Sequence, residues 1–396
     1  MDRVIIARYG EIHLKGGNRG FFIKALINNL KDKITDLARI TFTEGRVIID
    51  KYKNCDEQVV LGSVLSTFGF ISASIVTSVE PTEVAIFEYL RNLKIEGSFK
   101  IQINRANKGF PVKSMDFAPV CGEVILTQAE RDKRKVWVDV VNPATMISID
   151  IRDKAYIFDK SLPALGGLPV GVSGRAISLL SGGIDSPVAT LLAAKRGLCV
   201  DLIHFATPPY TSDLALEKIY KLQSVIKNFC GKVRLFIVPF TEISRAIKKS
   251  CSEEFVITLM RRFMVRIAER LGLAHGASCI ITGENLAQVA SQTVEGIRSN
   301  NFVATELPIL RPLVTFDKQE IIALAKRFGT YDVSIEPHLD CCTIFVPKNP
   351  IIKPNLKRVE TEEQKIGDLQ DLVDRAIGGV EVKVNKTTLS PRQDNL

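Results

Sequence analysis

Five short apolar segments, each followed by a helical pattern, occupy the second half of the sequence. They span residues 176–180, 199–205, 233–238, 278–282 and 307–310. Apolar residues run through each segment with few interruptions, which is typical of strands buried on both faces of a parallel sheet. The alternation of strand and helix therefore predicts a doubly wound α/β domain, in which ligands bind beyond the carboxyl ends of the strands.

The first of these strands leads into a serine- and glycine-rich turn at residues 181–186, which reads SGGIDS, and Pro187 begins the following helix. Glycines allow backbone amides to approach an anion, the helix N-terminus adds the positive end of its dipole, and Ser181 and Ser186 offer hydroxyl groups. The turn therefore predicts a phosphate-binding loop. It lacks the lysine of G-x-x-x-x-G-K-[ST], so it is not a Walker A loop, and it does not match G-x-G-x-x-G.

A different pattern covers the start of the chain. Strands and helices are predicted there in the order β-α-β-β-α-β, which is the order of a ferredoxin-like fold. They lie at about residues 3–9, 21–37, 40–42, 46–50, 57–67 and 71–79.

A second small α+β unit follows, and a loop rich in proline and glycine at residues 163–174 separates it from the α/β domain. Its predicted helices and strands lie at about residues 81–92, 99–104, 117–128, 135–139 and 147–151. We therefore expect a ferredoxin-like domain at 1–76, the second unit at 77–160, a linker at 161–174 and the α/β domain at 175–396.

The charge balance leaves two classes of protein open. The chain has 53 basic and 44 acidic side chains, a formal charge of +9, and the excess is four in residues 1–172 and five in the remainder. Since neither half is strongly basic, both a nucleic-acid partner and an ordinary solvated surface are compatible with this balance.

The chain has eight cysteines and four histidines, without a C-x-x-C pair or neighbouring histidines. This spacing predicts free thiols, no metal-ligating residues and no iron–sulfur cluster, so that any metal arrives with a substrate. No run of about 18–20 apolar residues is present, and the first residues do not form a signal peptide. We therefore expect a cytoplasmic protein without a membrane segment.

The loop at 181–186 resembles the signature of the PP-loop ATP pyrophosphatases, which are adenine nucleotide α-hydrolase-like proteins. These enzymes split ATP between its α and β phosphates and activate a carbonyl oxygen as an adenylate. Further segments are similar to the tRNA 4-thiouridine synthetases (tRNA uracil 4-sulfurtransferases, also tied to thiamine biosynthesis), and the unit at 77–160 fits their THUMP domain by element order. The similar segments are residues 8–11, 14–16, 18–19, 283–293, 311–313 and 329–332.

The resemblance implies a nucleotide site at the carboxyl edge of the sheet. Asp185 is expected to support the phosphates of ATP and its Mg²⁺. Gln288 and Gln292 are predicted to lie one turn apart on a helix, where they either read a purine edge or are simply solvated. The expected nucleotide contacts are Leu179, Leu180, Ser181, Gly182, Gly183, Asp185, Ser186, His204, Phe205, Arg261, Gly283 and Gln292.

Two adjacent cysteines, Cys341 and Cys342, lie in irregular chain. A thiolate can carry a persulfide, whose terminal sulfur is a good nucleophile. By resemblance Cys342 bears the persulfide and Cys341 is its neighbour. Some members of the family carry a second cysteine where this chain has Ile203, and Cys199 is the nearest match, so that either Cys199 or, as we favour, an external thiol cuts the bond to the base. Many relatives end in a rhodanese-like domain, for which this chain has no room. We therefore expect a separate sulfur donor, such as a cysteine desulfurase, or sulfide.

The resemblance thus predicts that the chain adenylates O4 of a uridine in tRNA, at position 8, and transfers sulfur to C4. Arg8, Lys15 and Arg19 are the predicted RNA contacts, although an ion pair with Glu11 is an alternative role for each. A homodimer is a further expectation. The alternatives are a PP-loop ligase or thiolase acting on another nucleobase or a small carboxylate, and a tRNA-binding protein without catalysis.

Overall fold

The structure is a computed structural model that describes residues 2–34, 37–43, 45–52, 56–289, 292–337 and 349–384. The chain divides into two compact units, residues 1–167 and residues 168–396. Each unit contains its own sheet.

The first unit begins with the predicted ferredoxin-like order, which the structure confirms. A 3-10 segment at Glu11–Asn18 covers the glycine-rich stretch before the first helix. Asp56 begins the second helix by accepting a hydrogen bond from the backbone N–H of Gln58. The elements are β1 (Asp2–Tyr9), α1 (Arg19–Ile34), β2 (Arg39–Thr43), β3 (Arg46–Asp50), α2 (Glu57–Leu65) and β4 (Phe70–Val79).

The rest of this unit extends the same sheet. The added elements are α3 (Glu83–Asn92), β5 (Gly97–Arg105), α4 (Ser114–Arg131), β6 (Val136–Val138), β7 (Thr145–Ile151), β8 (Ala155–Phe158) and β9 (Leu162–Pro163). The described strands are ordered β2-β3-β1-β4-β8-β7-β5-β6, and β9 pairs with β4. Strand β4 thus joins the ferredoxin-like strands to those of the second α+β segment.

The second unit has the predicted alternation of strands and helices. Its first half comprises β10 (Arg175–Leu179), α5 (Asp185–Lys195), β11 (Cys199–Ala206), α6 (Asp213–Cys230), β12 (Arg234–Pro239), α7 (Thr241–Ser250) and α8 (Val256–Ala274). The other described elements are β13 (Cys279–Ile281), α9 (Val294–Asn301), β14 (Ile309–Leu310), α10 (Lys318–Phe328), α11 (Tyr331–Ser334), α12 (Leu356–Gln364), α13 (Leu369–Gly378) and β15 (Glu381–Val384).

The described strands of this unit are ordered β14-β13-β10-β11-β12-β15. The first five are parallel, as predicted, and β15 adds an antiparallel edge. Strand β11 is buried along seven of its eight residues, which explains why its sequence is mainly apolar. The chain leaves β10 in one direction toward β11 and β12 and later returns to its other side for β13. The carboxyl ends of β10 and β13 therefore form the topological switch point at which such sheets bind ligands.

Candidate functional site

The loop between β10 and α5 is closed by its own side chains. The backbone N–H of Ser181 donates to Ser186 Oγ at 2.9 Å, and that of Gly183 donates to Ser181 Oγ at 3.3 Å. The N–H of Leu180 continues the parallel pairing by donating to the carbonyl of Ile203 at 2.8 Å. Both serines thus shape the turn that leads into the N-terminus of α5, and a helix N-terminus suits an anion.

Two hydrogen bonds between buried groups attach the start of α5 to the sheet. Thr190 Oγ1 donates to the carbonyl of Ser186 at 2.8 Å and lies 2.7 Å from Ser178 Oγ on β10. Since Thr190 and Ser178 are fully buried, these bonds hold the helix N-terminus in one orientation toward the switch point.

Gly283 brings the end of β13 against this helix start. A Cβ atom at this position would lie 2.8 Å from the backbone N and Cα of Ser186 and 3.1 Å from the carbonyl carbon of Asp185. Backbone atoms cannot move aside as a flexible side chain can, so only glycine permits this approach. The predicted residue Gly283 therefore lies next to the loop at 181–186 for a reason of packing.

Asp185 is the carboxylate of the loop, and two distant residues meet it. Lys318 Nζ donates to Asp185 Oδ1 at 2.6 Å, and Gln288 Nε2 donates to Asp185 Oδ2 at 2.9 Å. Lys318 is the first residue of α10, so the fold brings to this loop the cation that its sequence lacks. Sequence reasoning missed Lys318. The capping box of Asp317 and Glu320 predicts where α10 begins, but it does not indicate that Lys318 lies next to Asp185.

The segment from Gly283 to Gln292 is not helical where it is described, so the predicted helix bearing two glutamines is wrong. Ala287 has a positive φ of 63°, and its N–H donates to the carbonyl of Gln292 at 2.7 Å. Thr293 then caps α9. The Oε1 atoms of Gln288 and Gln292 are buried without a hydrogen-bond partner among the described residues, and Gln292 is only 7% exposed. Buried acceptors of this kind suit a ligand that brings donors.

The carboxylate of Glu284, next to Gly283, is hydrogen-bonded by cationic and polar side chains. It accepts hydrogen bonds from Arg261 at 3.1 Å, Arg311 at 2.6 Å, Asn300 at 2.9 Å and Thr282 at 3.2 Å. Burial raises the pKa of the Glu284 carboxyl, but the charges of Arg261 and Arg311 and the hydrogen bonds outweigh it and hold the pKa below its ordinary value. One ionised carboxylate thus orients two guanidinium groups, with an excess positive charge next to the phosphate-binding loop.

The remaining predicted nucleotide contacts line the ends of β10 and β11. His204 Nδ1 lies 2.9 Å from the carbonyl oxygen of Leu180, and this oxygen can only accept, so Nδ1 donates. Phe205 packs edge-on against Phe240, with ring centroids 5.1 Å apart. Leu179 is half-buried and Leu180 is buried. Gly182 lies in the loop at 181–186, so the structure brings the predicted nucleotide contacts to one sheet edge.

Cys341 and Cys342 lie outside the described residues, in the stretch 338–348. The chain on both sides of this stretch is anchored. Before it, Lys218 Nζ on α6 donates to the carbonyl of Glu336 at 2.9 Å. After it, Thr293 Oγ1 donates to the carbonyl of Ile352 at 2.7 Å. Thr293 caps α9, which follows β13, and Lys218 lies in the second turn of α6, which follows β11.

Cys199 lies at the other end of the sheet. It is the first residue of β11, whose carboxyl end is seven residues further, about 23 Å at the usual rise of a strand. Burial raises the pKa of its thiol, which disfavours the reactive thiolate. Cys199 is therefore poorly placed to react at the switch point.

The predicted RNA contacts all lie in the first unit, and each has a partner within it. Arg8 donates to Ser74 Oγ at 3.0 Å, and its guanidinium lies 5.0 Å from the ring centroid of Phe158. Lys15 lies 3.9 Å from a carboxylate oxygen of Glu11.

Arg19 donates to the carbonyl of His13 at 3.0 Å. The alternative ion pair with Glu11 thus occurs for Lys15, while Arg8 and Arg19 donate hydrogen bonds to a hydroxyl group and a backbone carbonyl. Within the described part of the chain, no group of three or more histidine, cysteine, aspartate or glutamate side chains is arranged to hold a metal ion. None of the described helices is both long and apolar enough to cross a membrane.

Comparison with known proteins gives matches over nearly the whole chain. Three family models match in order, the ThiI ferredoxin-like domain at residues 4–74, the THUMP domain at 86–158 and the thiamine biosynthesis protein (ThiI) at 171–367. The chain is 41% identical to the probable tRNA sulfurtransferase of Halothermothrix orenii, covering 96% of this chain and 98% of the relative. It is also 41% identical to that of Moorella thermoacetica, covering 98% of each.

Among solved structures, the chain is similar to a 4-thiouridine synthetase in complex with RNA and bound ATP. The two share 35% sequence identity and a TM-score of 0.86, over 98% of this chain and all of that one. A second similar structure is PH1313 from Pyrococcus horikoshii, with 25% identity and a TM-score of 0.62 over 83% of this chain and 99% of that one. From its sequence identity and coverage, the chain belongs to the tRNA sulfurtransferase family.

Proposed function

We propose that this chain is an ATP-dependent tRNA sulfurtransferase, which converts a uridine of tRNA to 4-thiouridine. The observation that carries the proposal is the phosphate-binding loop at the switch point of a chain that is similar, over 98% of its length, to a 4-thiouridine synthetase bound to RNA and ATP. We take the target from the resemblance to be uridine 8. Since tRNA is a cytoplasmic substrate, we propose a cytoplasmic location. The expected homodimer stays a prediction.

The proposed first step is adenylation of uridine O4. The triphosphate of ATP lies against the backbone amides of residues 181–186, with the positive end of α5 directed at it. O4 attacks the α phosphorus, the bond to the β-phosphate oxygen breaks, and pyrophosphate leaves. Arg261 and Arg311, fixed by Glu284, supply positive charge for the phosphate oxygens as the negative charge moves to the leaving group.

Lys318 is a second source of positive charge. Its 2.6 Å bond to Asp185 leaves the Lys318 side chain 41% exposed, so it can reach a phosphate that enters the loop. Magnesium is proposed to arrive with ATP as part of that substrate. Asp185 fits this role because carboxylate oxygens are preferred ligands of Mg²⁺ and because Asp185 accepts from one neutral and one cationic donor.

The proposed second step delivers sulfur. The terminal sulfur of a persulfide on Cys342 attacks C4, the C4–O4 bond breaks, and AMP leaves with O4. Cys342 is then joined to the base through a disulfide. A thiolate attacks the Cys342 sulfur of that disulfide, which releases 4-thiouridine and leaves a disulfide between the thiol and Cys342. The position of Cys199 supports an external thiol as this reductant, and a cysteine desulfurase is the proposed source of the persulfide.

The activity is tested by ATP–pyrophosphate exchange with and without unmodified tRNA, followed by base analysis of the tRNA. We expect exchange that depends on tRNA, and 4-thiouridine when a sulfur donor and a thiol are added. Exchange with a small carboxylate alone, or a different modified base, would contradict the proposal. No exchange with a well-bound tRNA would instead indicate a protein that only binds RNA.

A second role is proposed because the family model over residues 171–367 is described as a thiamine biosynthesis protein. The same persulfide on Cys342 would pass sulfur to thiazole synthesis. This role needs the cysteine but not adenylation of tRNA, so a variant unable to exchange pyrophosphate should still support growth without thiamine.

A further inference from the structure

Three arginines surround one carboxylate on a face of the first unit's sheet. Arg46 forms an ion pair with Asp150, and Arg152 Nε lies 3.3 Å from an oxygen of the same side chain. Arg8 lies directly opposite Arg46 in the pairing of β1 with β3. We call Arg8, Arg46, Arg152 and Asp150 the arginine cluster.

The arginine cluster carries two more positive than negative charges, largely out of water. The side chains of Arg46, Arg152 and Asp150 are 11%, 30% and 4% exposed. Like charges directly opposite each other destabilise an antiparallel pair, and a buried charge is costly without a counterion. Burial lowers the pKa of Arg8 and Arg46, and the charges of neighbouring arginines lower it further, while Asp150 acts in the opposite direction.

The surroundings of the arginine cluster favour an anion over a base as its ligand. The same sheet face holds the buried apolar side chains of Val4, Ile6 and Val76, which offer no hydrogen bonds to a base edge. Phe158 is already covered by Arg8. Guanidinium groups are planar donors that match the oxygens of a phosphate. A phosphodiester would therefore meet donors from several directions and bring the missing negative charge.

The cluster also joins the two segments that family models match separately. Arg8 and Arg46 come from strands β1 and β3 of the ferredoxin-like part, whereas Arg152 follows β7 in the THUMP part. We propose that Arg8, Arg46 and Arg152 form a binding site for one backbone phosphate of tRNA, with Asp150 orienting the guanidinium groups. This inference rests on the proposed function for the identity of its ligand.

The test measures the affinity of the full chain for unmodified tRNA at several potassium chloride concentrations. We expect Arg46→Gln and Arg152→Gln each to reduce the slope of log K against log salt by about 0.7–0.9, which corresponds to one phosphate contact and a roughly fivefold loss at 0.15 M salt. The matched control is Arg3→Gln, on the same strand as Arg8 but paired with Glu57. It should keep the wild-type slope.

Arg46→Lys distinguishes phosphate binding from a purely structural role. Counterion release depends on the positive charge, which lysine keeps. The geometry of the ion pair with Asp150 depends on the guanidinium group, which lysine lacks. Recovery of the slope by lysine supports the phosphate site. An unchanged slope in folded Arg152→Gln, or an equal loss in Arg3→Gln, overturns it. Arg152 is partly exposed, so this variant keeps the test open if Arg46→Gln fails to fold.

Free phosphate is the other source of the same chemistry. Melting of wild type and Arg46→Gln is therefore compared with and without 10 mM inorganic phosphate. Stabilisation that only the wild type shows, together with an unchanged tRNA slope, would mean a free-anion site and overturn the RNA assignment. The proposed function is tested separately. It fails if wild-type reactions form no 4-thiouridine while the variants still differ in the salt dependence of tRNA binding.

Discussion

At the scale of single residues, Asp185 is the group on which the ATP chemistry depends most directly. It lies at the start of α5 and is bonded to Lys318 and Gln288. We predict that Asp185→Ala lowers tRNA-dependent ATP–pyrophosphate exchange by at least about 100-fold, as is typical when a group that stabilises transition-state charge is removed. The affinity for tRNA should stay within about twofold, since phosphate contacts elsewhere dominate that affinity.

The control for this variant is Glu242→Ala, which removes an exposed carboxylate that pairs with Arg375. It should change neither exchange nor tRNA affinity. An equal loss of exchange and of RNA binding in Asp185→Ala would show that the aspartate supports the fold and not the nucleotide.

The environment of Glu284 predicts how the stability of the fold depends on pH. Its pKa in the folded protein lies below the ordinary value of 4.5, so its ionised form stabilises the fold above that pH. This contribution is lost as the pH falls from 4.5 through the folded-state pKa. We expect Glu284→Gln to reduce the free energy of unfolding by about 3 kcal/mol at pH 7, because two partly buried arginines lose their counterion. Urea unfolding should show a smaller difference at pH 4 than at pH 7, and a difference independent of pH would contradict this account.

At the scale of elements, the contact between β13 and α5 determines the shape of the site. Gly283→Ala would place a Cβ atom 2.8 Å from the backbone of Ser186. We predict a loss of about 1–3 kcal/mol in the free energy of unfolding, the usual cost of overpacking, together with weaker ATP binding. Gly378→Ala is the control, because a Cβ there meets nothing within 4 Å. Urea unfolding and ATP titration of both variants check this, and equal behaviour of the two would show that the contact is unimportant.

The parallel strands could be predicted because burial on both faces makes each one mainly apolar, as in β11. Short strands such as β9 and β15, with two and four residues, give no such pattern. The segment after Gly283 is rich in residues that favour helices, yet its packing against α5 and the buried bonds of Glu284 keep the described part a loop. Tertiary contacts there override local propensity.

The site itself was only partly predictable for a related reason. The loop at 181–186 is contiguous, so its chemistry is visible in the sequence. Lys318 and Arg311 come from a later part of the chain and reach the site only because parallel strands end at one edge of the sheet. No spacing in the sequence reports that convergence.

At the scale of the whole molecule, the two proposed steps, adenylation and sulfur transfer, depend on different parts of the second unit. The loop at 181–186 lies at the carboxyl edge of the sheet, and the chain on either side of residues 338–348 is bonded to α6 through Glu336 and to Thr293 through Ile352. Activation needs ATP and a uridine, whereas sulfur transfer also needs the thiol. The two steps should therefore be separable by substitution at one position.

We predict that Cys342→Ser retains tRNA-dependent ATP–pyrophosphate exchange within about threefold and forms no 4-thiouridine, because serine cannot carry a persulfide. Cys341→Ser is the adjacent control and should form product when an external thiol is present.

Single-turnover reactions without reductant identify the resolving thiol. If it is external, wild type, Cys341→Ser and Cys199→Ser all form product only after a thiol is added. Product from wild type alone, lost in either of those two variants, would instead name an internal thiol. Product from Cys342→Ser would overturn the persulfide role, since sulfur would then reach C4 without that cysteine.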